Sequence, residues 1–249
     1  MMMMKGPSGA FKITLLIIMV FGLSGFTMAE NYGEIKSKTV AKIKIPKWYH
    51  EGLYFDGRDI WVNNGKRGDT WVVNTNTGKI LRKIKPEGSF TEAITPKDKD
   101  TFFVTDWDAK KVYISKIEND KMYKLSERSV EPAHPAGAVW NGVNLFVVTW
   151  TRSLMGTRFH ILKMDADMNI LSMAEIAKIL EPAHLAWDGN HIWISCWYSN
   201  RIYKVDIEKL EMLGYLRSPA KKTTGIAWDG KYLWVTGTYD GLYKMELLN

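Results

Sequence analysis

The chain has 249 residues, of which 46% are hydrophobic and 24% charged, with a formal net charge of +7. That balance excludes intrinsic disorder and a collagen-like repeat, and a single cysteine, Cys196, excludes an internal disulfide. Eleven tryptophans are many for a globular chain of this length and require a structural or functional reason.

Residues 1–29 read as a secretory signal peptide. Lys5 and Lys12 supply a positive leading region, Ile13 to Phe26 a short apolar run, and Thr27-Met28-Ala29 a cleavage site ahead of Glu30. The run is short for a membrane span of about 20 residues, although an uncleaved anchor is the alternative. Cleavage leaves a single domain over 30–249, an extracytoplasmic (secreted or periplasmic) location and no membrane span. The 34 basic residues less Lys5 and Lys12 exceed the 27 acidic ones by 5, without an arginine-rich stripe. Nucleic acid is therefore not an expected partner, and the domain is expected to be a monomer.

Four turn dipeptides mark a repeat. Asp56-Gly57, Asn141-Gly142, Asp188-Gly189 and Asp229-Gly230 each separate two apolar runs, as tight hairpin turns do. The gaps are 85 (57 to 142), 47 (142 to 189) and 41 (189 to 230). The first is double, and Lys97-Asp98-Lys99-Asp100 supplies the missing turn, one residue longer than the rest. Around each turn the pattern predicts a strand in, a strand out and a third strand after a loop. A fourth follows in the early units, such as Lys79 to Ile84. Five units of four short antiparallel strands predict an all-β, five-bladed β-propeller. The fifth unit ends after its third strand, so Thr39–Ile45 is expected to supply the outer strand and close the ring. Met173–Leu180 has the spacing of a short helix between the third and fourth units.

Six tryptophans are periodic. Trp140, Trp187 and Trp228 stand two residues before the turn glycine, and Trp61, Trp193 and Trp234 four after it. These are expected to fill the wedges between blades. Trp107, Trp150 and Trp197 instead share a position in the loops between second and third strands, where aromatics would wall a pocket at one channel mouth. Extra packing between blades is the alternative.

In the segments leading into each unit, one position reads Glu51, Glu92, Ala136, Ala183 and Thr224. A partly desolvated glutamate there would exchange protons near neutral pH; alternatively it would bond backbone amides of the next blade. His50, His134 and His184 offer a zinc alternative without a recognised ligand spacing. Cys196 offers a nucleophile with no histidine beside it in sequence.

Three stretches resemble the plant and bacterial glutamine cyclotransferases. Tyr49-His50-Glu51-Gly52-Leu53 is similar to that family's opening Phe-Thr-Gln-Gly-Leu. Asn64-Gly65-Lys66-Arg67-Gly68, running on to Thr77-Gly78-Lys79-Ile80-Leu81, resembles its Gly-rich loop, third strand and Thr-Gly turn. Phe90-Thr91-Glu92-Ala93-Ile94 with Val104-Thr105-Asp106-Trp107 resembles its Phe-Ala-Glu-Gly motif and the Leu-Thr-Trp after it. The chain departs from the family at Glu51 and Ala93, and Ala136-Gly137-Ala138-Val139 lacks the family's Glu-Gly-Trp-Gly. The resemblance implies a five-bladed propeller that converts N-terminal glutamine to pyroglutamate with release of ammonia, without a cofactor or metal. It implies Glu92 as catalytic proton shuttle, with Trp107, Trp150 and Trp197 around the substrate side chain and Glu51 on its α-ammonium. A non-catalytic propeller binding a peptide, glycan or protein partner at the same mouth is the alternative function, and a spacer without a small-molecule site is a third.

Overall fold

The computed structural model describes residues 32–66 and 68–248; the predicted signal peptide lies outside them. The twenty strands form five four-stranded antiparallel sheets. Blade one holds β2 (His50–Phe55), β3 (Ile60–Asn64), β4 (Thr70–Val73) and β5 (Ile80–Ile84). Blade two holds β6 (Thr91–Pro96), β7 (Thr101–Asp106), β8 (Lys111–Glu118) and β9 (Lys121–Ser129). Blade three holds β10 (His134–Trp140), β11 (Leu145–Ser153), β12 (Gly156–Met164) and β13 (Ile170–Glu175). Blade four holds β14 (Pro182–Trp187), β15 (Ile192–Cys196), β16 (Arg201–Asp206) and β17 (Glu211–Arg217). Blade five takes β18 (Thr223–Trp228), β19 (Leu233–Gly237) and β20 (Leu242–Leu247), and β1 (Ser37–Ile43) pairs with β20 as its outer strand. The ring therefore closes through the N-terminal strand, two residues earlier than the pattern predicts.

The repeat register holds throughout. Phe55 faces Ile60, Trp140 faces Leu145, Trp187 faces Ile192 and Trp228 faces Leu233 across four-residue turns. Pro96 faces Phe102, so the second turn is one residue longer.

Five apolar clusters each join two adjacent blades, and each contains one member of the same repeat position: Trp61, Phe103, Phe146, Trp193 or Trp234. Each large ring fills a wedge that two flat sheets would leave open, burying roughly 150–250 Å². The tryptophan indoles are also tied to their own turns. Trp61 Nε1 donates to Asp56, Trp193 Nε1 to Asp188 and Trp234 Nε1 to Asp229, at 2.8, 2.9 and 2.8 Å.

Two expectations need correction. Trp140, Trp187 and Trp228 are only half-buried, and besides packing on the wedges they line a cavity with Phe55 and Pro96. These residues end their inner strands, so the cavity lies at the turn end of the channel. Met173–Leu180 is not a helix: Ile170–Glu175 is the outer strand β13, paired with β12, and Ile176 to Ile179 make a turn. The helical spacing arises because Ile176 and Ile179, both buried, anchor that turn in the cluster between blades three and four.

Candidate functional site

All five inner strands are irregular at one level. Cα pairing shifts between His50 and Leu53, Thr91 and Ala93, Pro135 and Ala138, Pro182 and Leu185, and Thr223 and Ile226. A bulge re-aims a side chain that a regular strand would hold on the sheet face. Glu51, Glu92, Ala136, Ala183 and Thr224 stand at this level, and all five line one cavity of about 180 Å³. The strands crowd there: a Cβ on Gly52 would strike the carbonyl oxygen of Glu92, and one on Gly137 would strike the Cα of His184. Hydroxyls lock the level in place. Thr105 Oγ1 accepts from Ala93 N at 3.0 Å and donates to Ala136 O at 2.6 Å. Ser195 Oγ, at the equivalent position of blade four, accepts from His184 N at 2.9 Å and donates to Thr224 O at 2.7 Å.

The wall is aromatic. Trp107, Trp150 and Trp197 line the cavity with Tyr49 and Phe90. Trp107 stacks on His134 with centroids 4.8 Å apart and meets Trp150 edge-on at 5.5 Å. Trp150 serves both readings offered by the sequence: it belongs to the core cluster between blades three and four, and it faces the cavity. The Trp107 loop is shaped by buried Asp106, whose carboxylate accepts from Ser89 N at 2.8 Å and Ala109 N at 3.0 Å. Among the described residues, two polar atoms of the lining are buried without a hydrogen-bond partner: Trp197 Nε1 and Thr224 Oγ1.

Both carboxyl groups hold their protons more tightly than usual. Burial, and then the charges of Asp106 and Asp108, push Glu92 up to about 8. Burial, and then the charge of Glu92, push Glu51 well above the usual carboxylate range against the opposing pull of Lys66. Burial beside the two carboxyls raises Tyr49 to about 12. A carboxyl that titrates near 8 can both take and give a proton close to neutrality.

The sequence-derived residues Glu51, Glu92, Trp107, Trp150 and Trp197 are thus brought together. Those it missed are Tyr49, Phe90 and Arg152, with Pro182 at the edge. Tyr49 and Phe90 each stand two residues before a site glutamate, just ahead of β2 and β6, so an aromatic-x-Glu pattern was available. Arg152 stands two after Trp150 on the long strand β11 and lies over the rings of Trp107 and Trp150, at 5.5 and 6.0 Å.

The histidines do not converge on a zinc site. His50 is bonded to Asn64 Oδ1 at 2.6 Å in the first blade and to Pro46 O at 3.1 Å in the segment leading into it. His134 bonds the Trp107 carbonyl at 3.0 Å. His184, lowered to about 4 by burial, donates from Nδ1 to Ile226 O at 3.1 Å. Among the described residues no group of three or more His, Cys, Asp and Glu is arranged for a metal. Cys196 is fully buried and its thiol is pushed up to about 12 by burial, so it is not a nucleophile in waiting.

Fold and site together define a five-bladed propeller with an acidic, aromatic-walled cavity at one channel mouth. A glutaminyl cyclase of Myxococcus xanthus shares this fold with a TM-score of 0.70 at 11% identity, over 88% of this chain and 100% of that one. A luciferin-regenerating enzyme matches with a TM-score of 0.55 at 13% identity, over 86% of this chain and 95% of that one. A virginiamycin B lyase of Staphylococcus aureus, in a complex with quinupristin, matches with a TM-score of 0.50 at 19% identity, over 80% of this chain and 66% of that one. No protein-family model matches the chain. No curated protein matches it by sequence.

Proposed function

We propose that the cavity binds the N-terminal residue of a peptide and cyclises glutamine there to pyroglutamate, in an extracytoplasmic setting. The observation that carries this reading is the pairing of Glu51 and Glu92 at one level of adjacent inner strands, inside a single cavity walled by Trp107, Trp150 and Trp197. The volume suits one terminal residue, not a folded partner. The likeness in fold to a glutaminyl cyclase is consistent with it.

In this reaction the α-amine lone pair attacks the side-chain carboxamide carbon and forms the ring C–N bond. Glu92 as carboxylate takes the proton leaving the amine and returns it to the amide nitrogen, and ammonia departs as the C–N bond to it breaks. The carbonyl oxygen gains charge in between. We assign Trp197 Nε1–H and the Thr224 hydroxyl, uncommitted donors on two residues that line the cavity, to receive it. The α-ammonium draws Glu51 toward its carboxylate form and is held by it until it deprotonates, and the indoles hold the methylenes.

Ammonia release from glutamine-initiated peptides tests this, with loss of release in Glu92→Gln. A folded protein that releases none from any such peptide overturns the enzyme reading. Two of the five ring positions are alanine, which suits the alternative of a non-catalytic peptide binder; that alternative predicts binding at the same cavity without turnover.

A further inference from the structure

Three cations stand around the cavity, each over a ring at its mouth. Lys66 Nζ lies 4.1 Å from the Tyr49 centroid. The Arg152 guanidinium lies 5.5 and 6.0 Å from those of Trp107 and Trp150. Lys222 Nζ lies 5.4 and 5.3 Å from those of Trp197 and Tyr198. All three side chains are exposed, and among the described residues none is in a salt bridge, whereas Lys111, Lys124 and Arg82 elsewhere are paired. An aromatic face holds a cation in place without neutralising it.

The carboxylates nearby leave the rim positive. Asp106 is buried and committed to backbone amides. Asp240 is engaged by Tyr243 and Lys42. The charges of Asp108 and Glu181 reach Glu92 and Cys196, but among the described residues neither is paired with any of the three cations. On the floor, Glu51 and Glu92 are held toward their neutral forms. A cationic group bound against them would draw a carboxyl back toward its charged form, so a ligand that fits both levels carries a positive charge at its buried end and a negative charge a few ångströms out.

We propose that Lys66, Arg152 and Lys222 form a specificity rim that selects peptides with a carboxylate shortly after the N-terminal residue, as an acidic second or third side chain or as the C-terminus of a dipeptide. The proposal rests on the peptide-binding reading of the cavity and names its substrate class. It stands independently of turnover.

The test therefore reads binding as well as ammonia. The probes begin with asparagine, whose ring closure would form a strained four-membered ring, and binding is followed by tryptophan fluorescence. Asn-Glu-Ala-amide is compared with Asn-Lys-Ala-amide, and Asn-Ala free acid with Asn-Ala-amide, which separates a side-chain from a terminal carboxylate. The expected preference for the acidic member of at least one pair is about tenfold, the scale of one or two exposed ion pairs. It should fall to near unity in the Lys66→Gln/Arg152→Gln/Lys222→Gln variant. In the unmodified protein it should also shrink between about 0.05 M and about 0.5 M salt. Equal binding of both members in both pairs overturns the rim, as does a preference that survives both the triple variant and salt. A preference without ammonia release from the matching glutamine peptides supports the rim and rejects cyclisation.

Discussion

Glu51 and Glu92 stand at the same level of neighbouring inner strands, and the charge on Glu92 opposes ionisation of Glu51. A buried carboxyl in this position makes folding proton-linked. Unfolded, Glu92 titrates near 4.5; folded, near 8. Between those values the folded state keeps a proton that the unfolded state releases, so this contribution is complete below pH about 4.5 and is lost as pH rises toward 8. Melting temperatures of the native protein and Glu92→Gln should therefore diverge with pH. The variant should gain on the native protein as pH rises from 5 to 9 (on the order of several degrees). Parallel curves would show that Glu92 is not held protonated.

Catalysis has the opposite demand. If Glu92 takes the proton of the attacking amine, kcat/KM for a glutamine peptide should rise toward pH 8, where the carboxylate forms and the peptide amine, with a pKa of about 7.7–8.0, also becomes free. A rate already at its plateau at pH 6 would remove Glu92 from that role.

Trp150 donates its indole N–H to the carbonyl of Pro182 at 2.7 Å, in the first strand of the next blade. Trp150→Phe keeps a wall but leaves that carbonyl without its donor, a loss of about 1–3 kcal/mol. Trp150→Ala also opens a cavity and should cost about 3–5 kcal/mol. Urea unfolding with m held constant reads both, and equal midpoints for all three proteins would contradict the packing described here.

The blade count, ring closure and even the longer second turn were legible because each depends on local chemistry repeated five times: an Asx turn, a large ring at a fixed offset, alternation in between. Glu51 and Glu92 were legible for the same reason, through their shared offset from the turn. Arg152 was not, because it sits on an extension of β11 that the other blades lack. The orphaned Trp197 Nε1 and Thr224 Oγ1 depend on packing across blades, which no local pattern encodes. Residues 173–180 misled because two buried isoleucines three apart mimic a helix face when they anchor a turn.

Cys196 provides a contrast to the carboxyls. It too is buried beside the site, but its thiol is pushed up to about 12 by burial, so almost no thiolate exists at neutral pH. The folded protein should resist a thiol reagent such as iodoacetamide and react fully in denaturant, and Cys196→Ala should keep ammonia release. Rapid labelling of the native protein would reveal an exposure that the fold does not allow.

The turn aspartates carry a second proton linkage, of opposite sign. Asp229 Oδ1 accepts from Lys231 N at 3.0 Å and Tyr232 N at 2.7 Å, while Oδ2 accepts from Trp234 Nε1 at 2.8 Å. Burial opposes its ionisation, but these bonds and Lys244 outweigh it and hold the carboxyl below 3.8; Asp188 is held down in the same way with Trp193. Their contribution is present above the unfolded value and is lost as pH falls through the folded one. Asp229→Ala removes three acceptor contacts and should cost about 2–3 kcal/mol at pH 7. Among the described residues Asn141 accepts only from Val143 N and Asn144 N, and its blade has Phe146 where those of Asp188 and Asp229 have tryptophan, so Asn141→Ala should cost less. Between pH 7 and pH 3 the penalty for Asp229→Ala should shrink, while that for Asn141→Ala, which removes no titrating group, should stay constant. Penalties that fall together would mean that acid acts elsewhere in the ring.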